Sequence, residues 1–169
     1  VAQRFRGEFE LKVDAKGRVS IPATFRRVLE LGDPTWSEGK RANFVVVYGL
    51  ETQCWLECYS LTAIQEIEER LDMLQDGTDD QEELIYKFNS YVLDMQIDDD
   101  GRIVLPQKMR DKLELDGDEK ALFISKGKHF EIWKKDKFEA LKLEPVRARL
   151  AERGPAYNPI VKLPQKPVT

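Results

Sequence analysis

Two stretches of this chain set out the same chemistry in the same order. "DAKGRVSIPATFR" (Asp14 to Arg26) and "DDDGRIVLPQKMR" (Asp98 to Arg110) lie 84 residues apart and agree at five of thirteen positions. The identities are Asp14 with Asp98, Gly17 with Gly101, Arg18 with Arg102, Pro22 with Pro106 and Arg26 with Arg110. These residue types recognise rather than react. An Asp accepts backbone N–H groups across a tight bend, a Gly takes the positive φ that a side chain opposes, and an Arg beside them presents a rigid fork of donors. Such a fork suits a phosphate or the edge of a guanine, and Lys16 adds a point charge next to it.

The surrounding pattern supplies the elements that must hold these turns. Phe9, Leu11 and Val13 alternate before the first turn, and Leu93, Met95 and Ile97 before the second, at the period of two of a half-buried strand. Val19 answers Ile103 and Ile21 answers Leu105, while Phe25 answers Met109 and Leu29 answers Leu113. Pro22 and Pro106 end the second strand where a short helix can begin. Further on, "LECY" (Leu56 to Tyr59) matches "FEIW" (Phe130 to Trp133) at a spacing of 74, so the first copy carries ten extra residues. They fall in "GDPTWSEGKR" and around "GLETQ", both loop-like in composition. A helical pattern follows each copy, with Ile64, Ile67, Leu71 and Leu74 in the first and Phe138 and Leu141 in the second. Each unit therefore reads strand, turn, strand, short helix, strand, turn, strand, longer helix. A hairpin this short cannot stand alone, and the apolar faces of the two copies are expected to bury against each other in an α+β, mainly β, barrel with an internal pseudo-twofold axis.

With 169 residues and 41% of them apolar, the chain can fill a real core. No apolar run reaches the roughly 18 to 20 residues that span a bilayer, and "VAQRFRGE" lacks the apolar stretch of a secretory signal, so a cytoplasmic location and no membrane partner are expected. Cys54 and Cys58 sit in a strand-like segment where four residues span roughly 13 Å, too far for a disulfide. With His129 as the one histidine, neither metal-ligand spacing nor a marked nucleophile, base and orienting residue is present, and no cofactor or enzymatic activity is expected. The net charge is −4, but unevenly placed. Residues 1–30 hold seven bases against four acids, whereas residues 61–83 hold nine acids against Arg70 alone. A basic end can meet a polyanion while an acidic end stays clear of it. Trp55, Tyr59, Phe130 and Trp133 alternate along strands and read as core or as subunit interface.

"FRGEFELKVDAKGRVSIPATFR" followed by "DDDGRIVLPQKMR" resembles the MraZ family of bacterial transcriptional regulators, whose hallmark is a doubled D-x-x-G-R unit of the AbrB/MazE type. The resemblance covers both units, roughly residues 5–138. It implies a double-split, swapped-hairpin β-barrel with flanking helices, a homo-oligomeric ring, nucleoid-associated binding to double-stranded promoter DNA with short repeats, and control, expected to be repression, of the division and cell wall gene cluster. The expected organisation is a first SpoVT-AbrB-like repeat at 7–60, an acidic helical connector at 61–90, a second repeat at 91–137, a C-terminal helix at 138–153 and a Pro-rich, disordered or extended tail at 154–169. A protein-interaction module of the antitoxin type is the alternative function.

The expected DNA-binding residues are Arg18, Lys16 and Arg6, with Asp14 orienting Arg18 and Gly17 forming the turn. Arg4, Lys12, Arg26, Arg27 and Arg102 are weaker candidates. Arg18 ranks above Arg102 because Asp99 and Asp100 flank the second arginine, and an acidic tip approaches phosphates at a cost.

Overall fold

The computed structural model describes residues 3–117 and 119–168. Its strands are β1 (Glu8–Lys12), β2 (Arg18–Ser20), β3 (Asn43–Val47), β4 (Leu56–Ser60), β5 (Val92–Gln96), β6 (Arg102–Val104), β7 (Lys120–Ser125) and β8 (Phe130–Lys134). Helices α1 (Ala23–Leu31) and α4 (Gln107–Leu113) follow the turn-bearing strands, and α2 (Leu61–Leu71) and α3 (Asp79–Ile85) fill the connector, which ends in a π turn at Tyr86–Ser90. Two compact units result, Val1–Lys135 and Asp136–Thr169.

The first unit is organised by an approximate twofold axis. Its six-stranded antiparallel sheet runs β1-β7-β8-β4-β3-β5, which reads the same from either edge once equivalent strands of the two copies are exchanged. Each copy lends its first strand to the other, β1 pairing with β7 and β5 with β3. Registers agree as well: Phe9 opposes Phe123 as its counterpart Leu93 opposes Val46. The axis passes between two pairs of equivalent residues, Glu57 with Glu131 and, in a separate two-stranded ribbon, Val19 with Ile103. The expected barrel thus differs in hydrogen bonding. The chain forms an open sheet with edges at β1 and β5 plus the β2–β6 ribbon, because three-residue strands flanked by Gly turns and Pro22 or Pro106 offer too few ladder bonds to join the larger sheet.

One core lies against both ladders. Val19 and Ile103 from the ribbon, Phe25 and Leu29 from α1, Met109 and Leu113 from α4, and Leu56, Phe123, Phe130 and Ile132 from the sheet are all buried in one cluster. Phe25 is at its centre, with Phe5 and Phe9 edge-on at 5.3 Å and Phe130 at 4.8 Å. The extra residues of the first copy form the α1–β3 loop and the β3–β4 turn, as their composition suggested. The buried Asp33 carboxylate fixes the longer loop by accepting from Thr35 N and Oγ1 and from Asn43 N and Nδ2.

Of the aromatic residues expected in the core or at a subunit interface, Tyr59, Phe130 and Trp133 are buried within the chain and Trp55 is partly exposed. Phe130 and Trp133 are both fully buried, but on opposite faces of β8, with Phe130 in the main core. On the other face Trp55 stacks on Trp133 at 4.7 Å and, by the twofold relation, Tyr59 stacks on His129 at 4.8 Å. Like charges directly opposite on neighbouring strands ordinarily repel, as Glu57 and Glu131 would. Here Glu57 accepts from Trp55 Nε1, Tyr59 OH and Lys87 Nζ, and Glu131 pairs with Trp133 Nε1 and His129 Nε2. Burial alone would raise the Glu131 pKa, but the His129 and Trp133 bonds outweigh it and hold it below the ordinary value. The same buried acids, after desolvation itself, push the thiol of Cys58 up, and Cys54 and Cys58 are both free.

The second unit begins after Lys135. A helix at Lys135–Phe138 (α5) passes through a π turn at Glu139–Leu143 into α6 (Glu144–Arg153). Pro145 at the start of α6 explains the widened turn, since its ring displaces the Leu141 carbonyl and it has no N–H to give. Phe138 is buried, whereas Leu141, expected on the same face, is exposed because the π turn shifts the helical register. The tail is irregular, with a turn at 155–156 closed by Tyr157 N donating to Gly154 O and a 3-10 turn at Pro159–Lys162 capped by Asn158, and Thr169 lies outside the described residues.

Candidate nucleic-acid interface

Both D-x-x-G-R turns are built alike. In the first, Asp14 Oδ1 accepts the backbone N–H groups of Lys16 and Arg18 at 2.9 Å, while Gly17 N donates to Asp14 O. In the second, Asp98 Oδ1 accepts from Asp100 and Arg102 at 2.9 Å, while Gly101 N donates to Asp98 O. Gly17 and Gly101 take φ of 84° and 75°. A Cβ on Gly17 would collide with the Leu105 carbonyl, so backbone conformation and space both require glycine there.

Each turn caps one end of the ribbon. Leu105 N donates to Gly17 O at 2.8 Å, and Ile21 N donates to Gly101 O at 3.0 Å. Val19 and Ile103 face the core, which turns Arg18, Ser20, Arg102 and Val104 to the opposite, solvent side. Arg18 opposes Val104 and Arg102 opposes Ser20, so the two arginines are diagonal neighbours, about 7 to 8 Å apart by strand geometry. Sequence reasoning treated them separately; the ribbon puts them on one exposed face.

Their surroundings differ. Arg18 uses Nε to hold Asp14 Oδ2 at 2.6 Å, and its two terminal nitrogens bond nothing else among the described residues. The Arg18 backbone N–H and then its guanidinium hold Asp14 below the usual 3.8, so the carboxylate stays ionised and orients its partner at neutral pH. Arg102 gives Nη2 to Asp100 Oδ2 at 2.9 Å, stands 3.7 Å from Asp98 and has a buried Nε without an acceptor among the described residues. Asp99 is not a bare charge either, because Arg41 clamps it through Nε at 2.9 Å and Nη2 at 2.8 Å. The acidity that set the second turn apart is therefore largely matched by Arg41 and Arg102. What distinguishes the first turn is a free guanidinium end beside the exposed Lys16.

The other candidates are scattered. Arg4 and Arg6 are exposed at the far end of β1 from the turn, where Phe5 N donates to Gly127 O; Lys126 and Lys128 of the β7–β8 turn are the bases at that end. Lys12 lies exposed on edge strand β1 opposite Lys120. Arg27 is exposed, 3.8 Å from Glu30. Arg26 is half-buried against the second turn, where its guanidinium occupies the place a Gly101 side chain would need. Its counterpart Arg110 stands on the first turn in the same way. Neither inward role was foreseen, although the identity of Arg26 and Arg110 in the two copies was a visible signal. The nine-acid segment falls on α2, α3 and the turn joining them, with its acids exposed.

Comparison with known proteins follows the same two copies. The family model of MraZ protein, described as antitoxin-like, matches residues 4–84 and 93–152. A relative named transcriptional regulator MraZ from Ruegeria sp. is 41% identical over 160 residues, covering 95% of each chain. One of the same name from Cereibacter sphaeroides is 48% identical over 145 residues, 83% of this chain and 85% of the relative. Another, from Thermoanaerobacter pseudethanolicus, is 34% identical over 133 residues, 79% and 82% of the two chains.

Proposed function

This chain belongs to the MraZ family and is a transcriptional regulator, and we propose that it binds double-stranded promoter DNA, including its own promoter, by laying the outer face of the β2–β6 ribbon against the duplex and reading it with Arg18. The observation that carries this reading is the free guanidinium end of Arg18, aimed by an ionised Asp14 from a rigid Gly turn. A two-stranded ribbon fits the major groove, where an arginine can bond guanine O6 and N7 together. Lys16 neutralises a phosphate, Arg102 contributes from the same face, and the ribbon and sheet close around one core in the swapped-hairpin manner of the family. The repeats at 7–60 and 91–137, the connector at 61–90 and the helix at 138–153 are the proposed divisions, and the regulated genes are the division and cell wall cluster, under repression.

In a ring of identical chains, several ribbons face one side, and weak contacts to repeated sites combine through effective concentration. Light scattering at micromolar concentration should give one closed oligomer larger than a dimer; a monodisperse monomer would refute the multivalent mechanism.

Mobility shifts on the DNA upstream of the gene test the interface itself. Lys16→Ala should weaken binding to all sequences alike and flatten the plot of log affinity against log salt by about one unit per contacting subunit. An unchanged slope would remove Lys16 from the interface.

A further inference from the structure

We infer that Arg110 is a positioning residue that holds the reading turn of the first copy in shape from the second copy's helix. Its side chain crosses the pseudo-twofold axis. Nη1 donates to Ala15 O at 3.0 Å, inside the turn, while Nε donates to Leu105 O at 3.1 Å, at the end of the neighbouring strand. The same guanidinium lies 3.0 Å from where a Gly17 side chain would begin, so it covers the turn as well as bonding it. One rigid, planar group thus ties the bend that carries Lys16 and Arg18 to the strand beside it, and a planar fork loses less freedom in doing so than a flexible ammonium.

The twofold relation supplies an internal contrast. Arg26 occupies the equivalent place over Gly101, but its Nε is buried and finds no acceptor among the described residues. The second turn is instead held by the Arg41–Asp99 clamp and by Arg102 on Asp100. The turn braced through the Ala15 carbonyl from across the axis is the one whose arginine keeps both terminal nitrogens free among the described residues. Arg110 leaves that end free because it is satisfied by carbonyls and takes neither Asp14 oxygen.

This inference rests on the reading of the first turn as the DNA contact, and the experiment separates the two. Arg110→Gln, Arg110→Lys and Arg18→Ala are titrated against the upstream DNA and against unrelated duplex of equal length, with melting followed in parallel. Arg110→Gln should lower specific affinity about tenfold or more, as expected for losing charge-assisted bonds to the turn, while its affinity for unrelated duplex changes little. Arg110→Lys, which can reach one carbonyl, should fall between Arg110→Gln and wild type and keeps the test alive if the glutamine variant does not fold. A merely structural role would lower the active fraction and leave the ratio of specific to unrelated binding unchanged, which overturns the inference. If Arg18→Ala loses specific binding while both Arg110 variants keep it, Arg110 does not position the turn; if Arg18→Ala itself binds like wild type, the DNA reading of the turn fails and the inference falls with it.

Discussion

Arg18→Ala should abolish specific binding to the upstream DNA while leaving fold and assembly intact. The side chain is partly exposed on the outward face of the ribbon, its ion pair among the described residues is with Asp14 in its own turn, and the core contact of that strand is made by Val19. Removing it therefore opens no cavity. The turn keeps its Asp14 bonds to the Lys16 and Arg18 backbone, which do not depend on the side chain. The loss falls on recognition: a bidentate arginine contact discriminates by about 1 to 3 kcal/mol at each site. Where several chains engage repeated sites, these losses add across the assembly and carry binding below detection. Arg102→Ala should keep most of the affinity, because Arg102 already spends a terminal nitrogen on Asp100. Anisotropy titration and melting of both variants check this. Wild-type affinity in Arg18→Ala together with its loss in Arg102→Ala would make the second turn the reader.

Phe25→Ala should cost about 3 to 5 kcal/mol, the usual range for emptying an aromatic site in a core. Phe25 has no exposed surface, and its ring meets Phe5, Phe9 and Phe130. It thus joins the N-terminal segment, edge strand β1 and central strand β8. Because domains of this size are stable by only about 5 to 15 kcal/mol, a large part of the total goes with it. Denaturant unfolding should show a much lower midpoint, with Phe9 and the Arg4–Arg6 segment released early. Below its transition the variant should still bind specific DNA, since the first turn is bonded through Asp14 and Arg110 rather than through Phe25. A cost below 1 kcal/mol would mean that the core is not organised around this ring.

The duplication was legible because it is written in local chemistry. Asp, Gly and Arg at fixed offsets specify a turn, alternating apolar residues specify the strands around it, and a spacing of 84 residues declares two of each. The exchange of first strands between copies was not legible in the periodicity, although the family resemblance implied a swapped hairpin. Phe9 and Leu93 show that their strands have a buried face, but nothing in period-two alternation says whether that face pairs within its own copy or with the other. The ladder did not close as expected for the same reason, since strand length and edge position are tertiary outcomes. The residues that shape the two turns were legible, but the surroundings of the second turn were not. Asp99 looked like bare charge because its partner Arg41 lies in the inserted loop, 58 residues away in sequence, while Asp100 is bonded by Arg102 of its own turn. Leu56 to Tyr59 and Phe130 to Trp133 were matched as strands, yet the facing glutamates at Glu57 and Glu131 became visible only when β4 and β8 paired across the axis.

On the proposed binding mode, DNA meets the ribbon face through the first turn, away from the acidic helices. Hydrogen exchange of the full chain, with and without its upstream DNA, locates the contact in one measurement. Protection is expected at residues 14–20, with a smaller effect at 100–104 and none at 61–85. Protection confined to 61–85, with the amides of Lys16 and Arg18 unchanged, would contradict this binding mode.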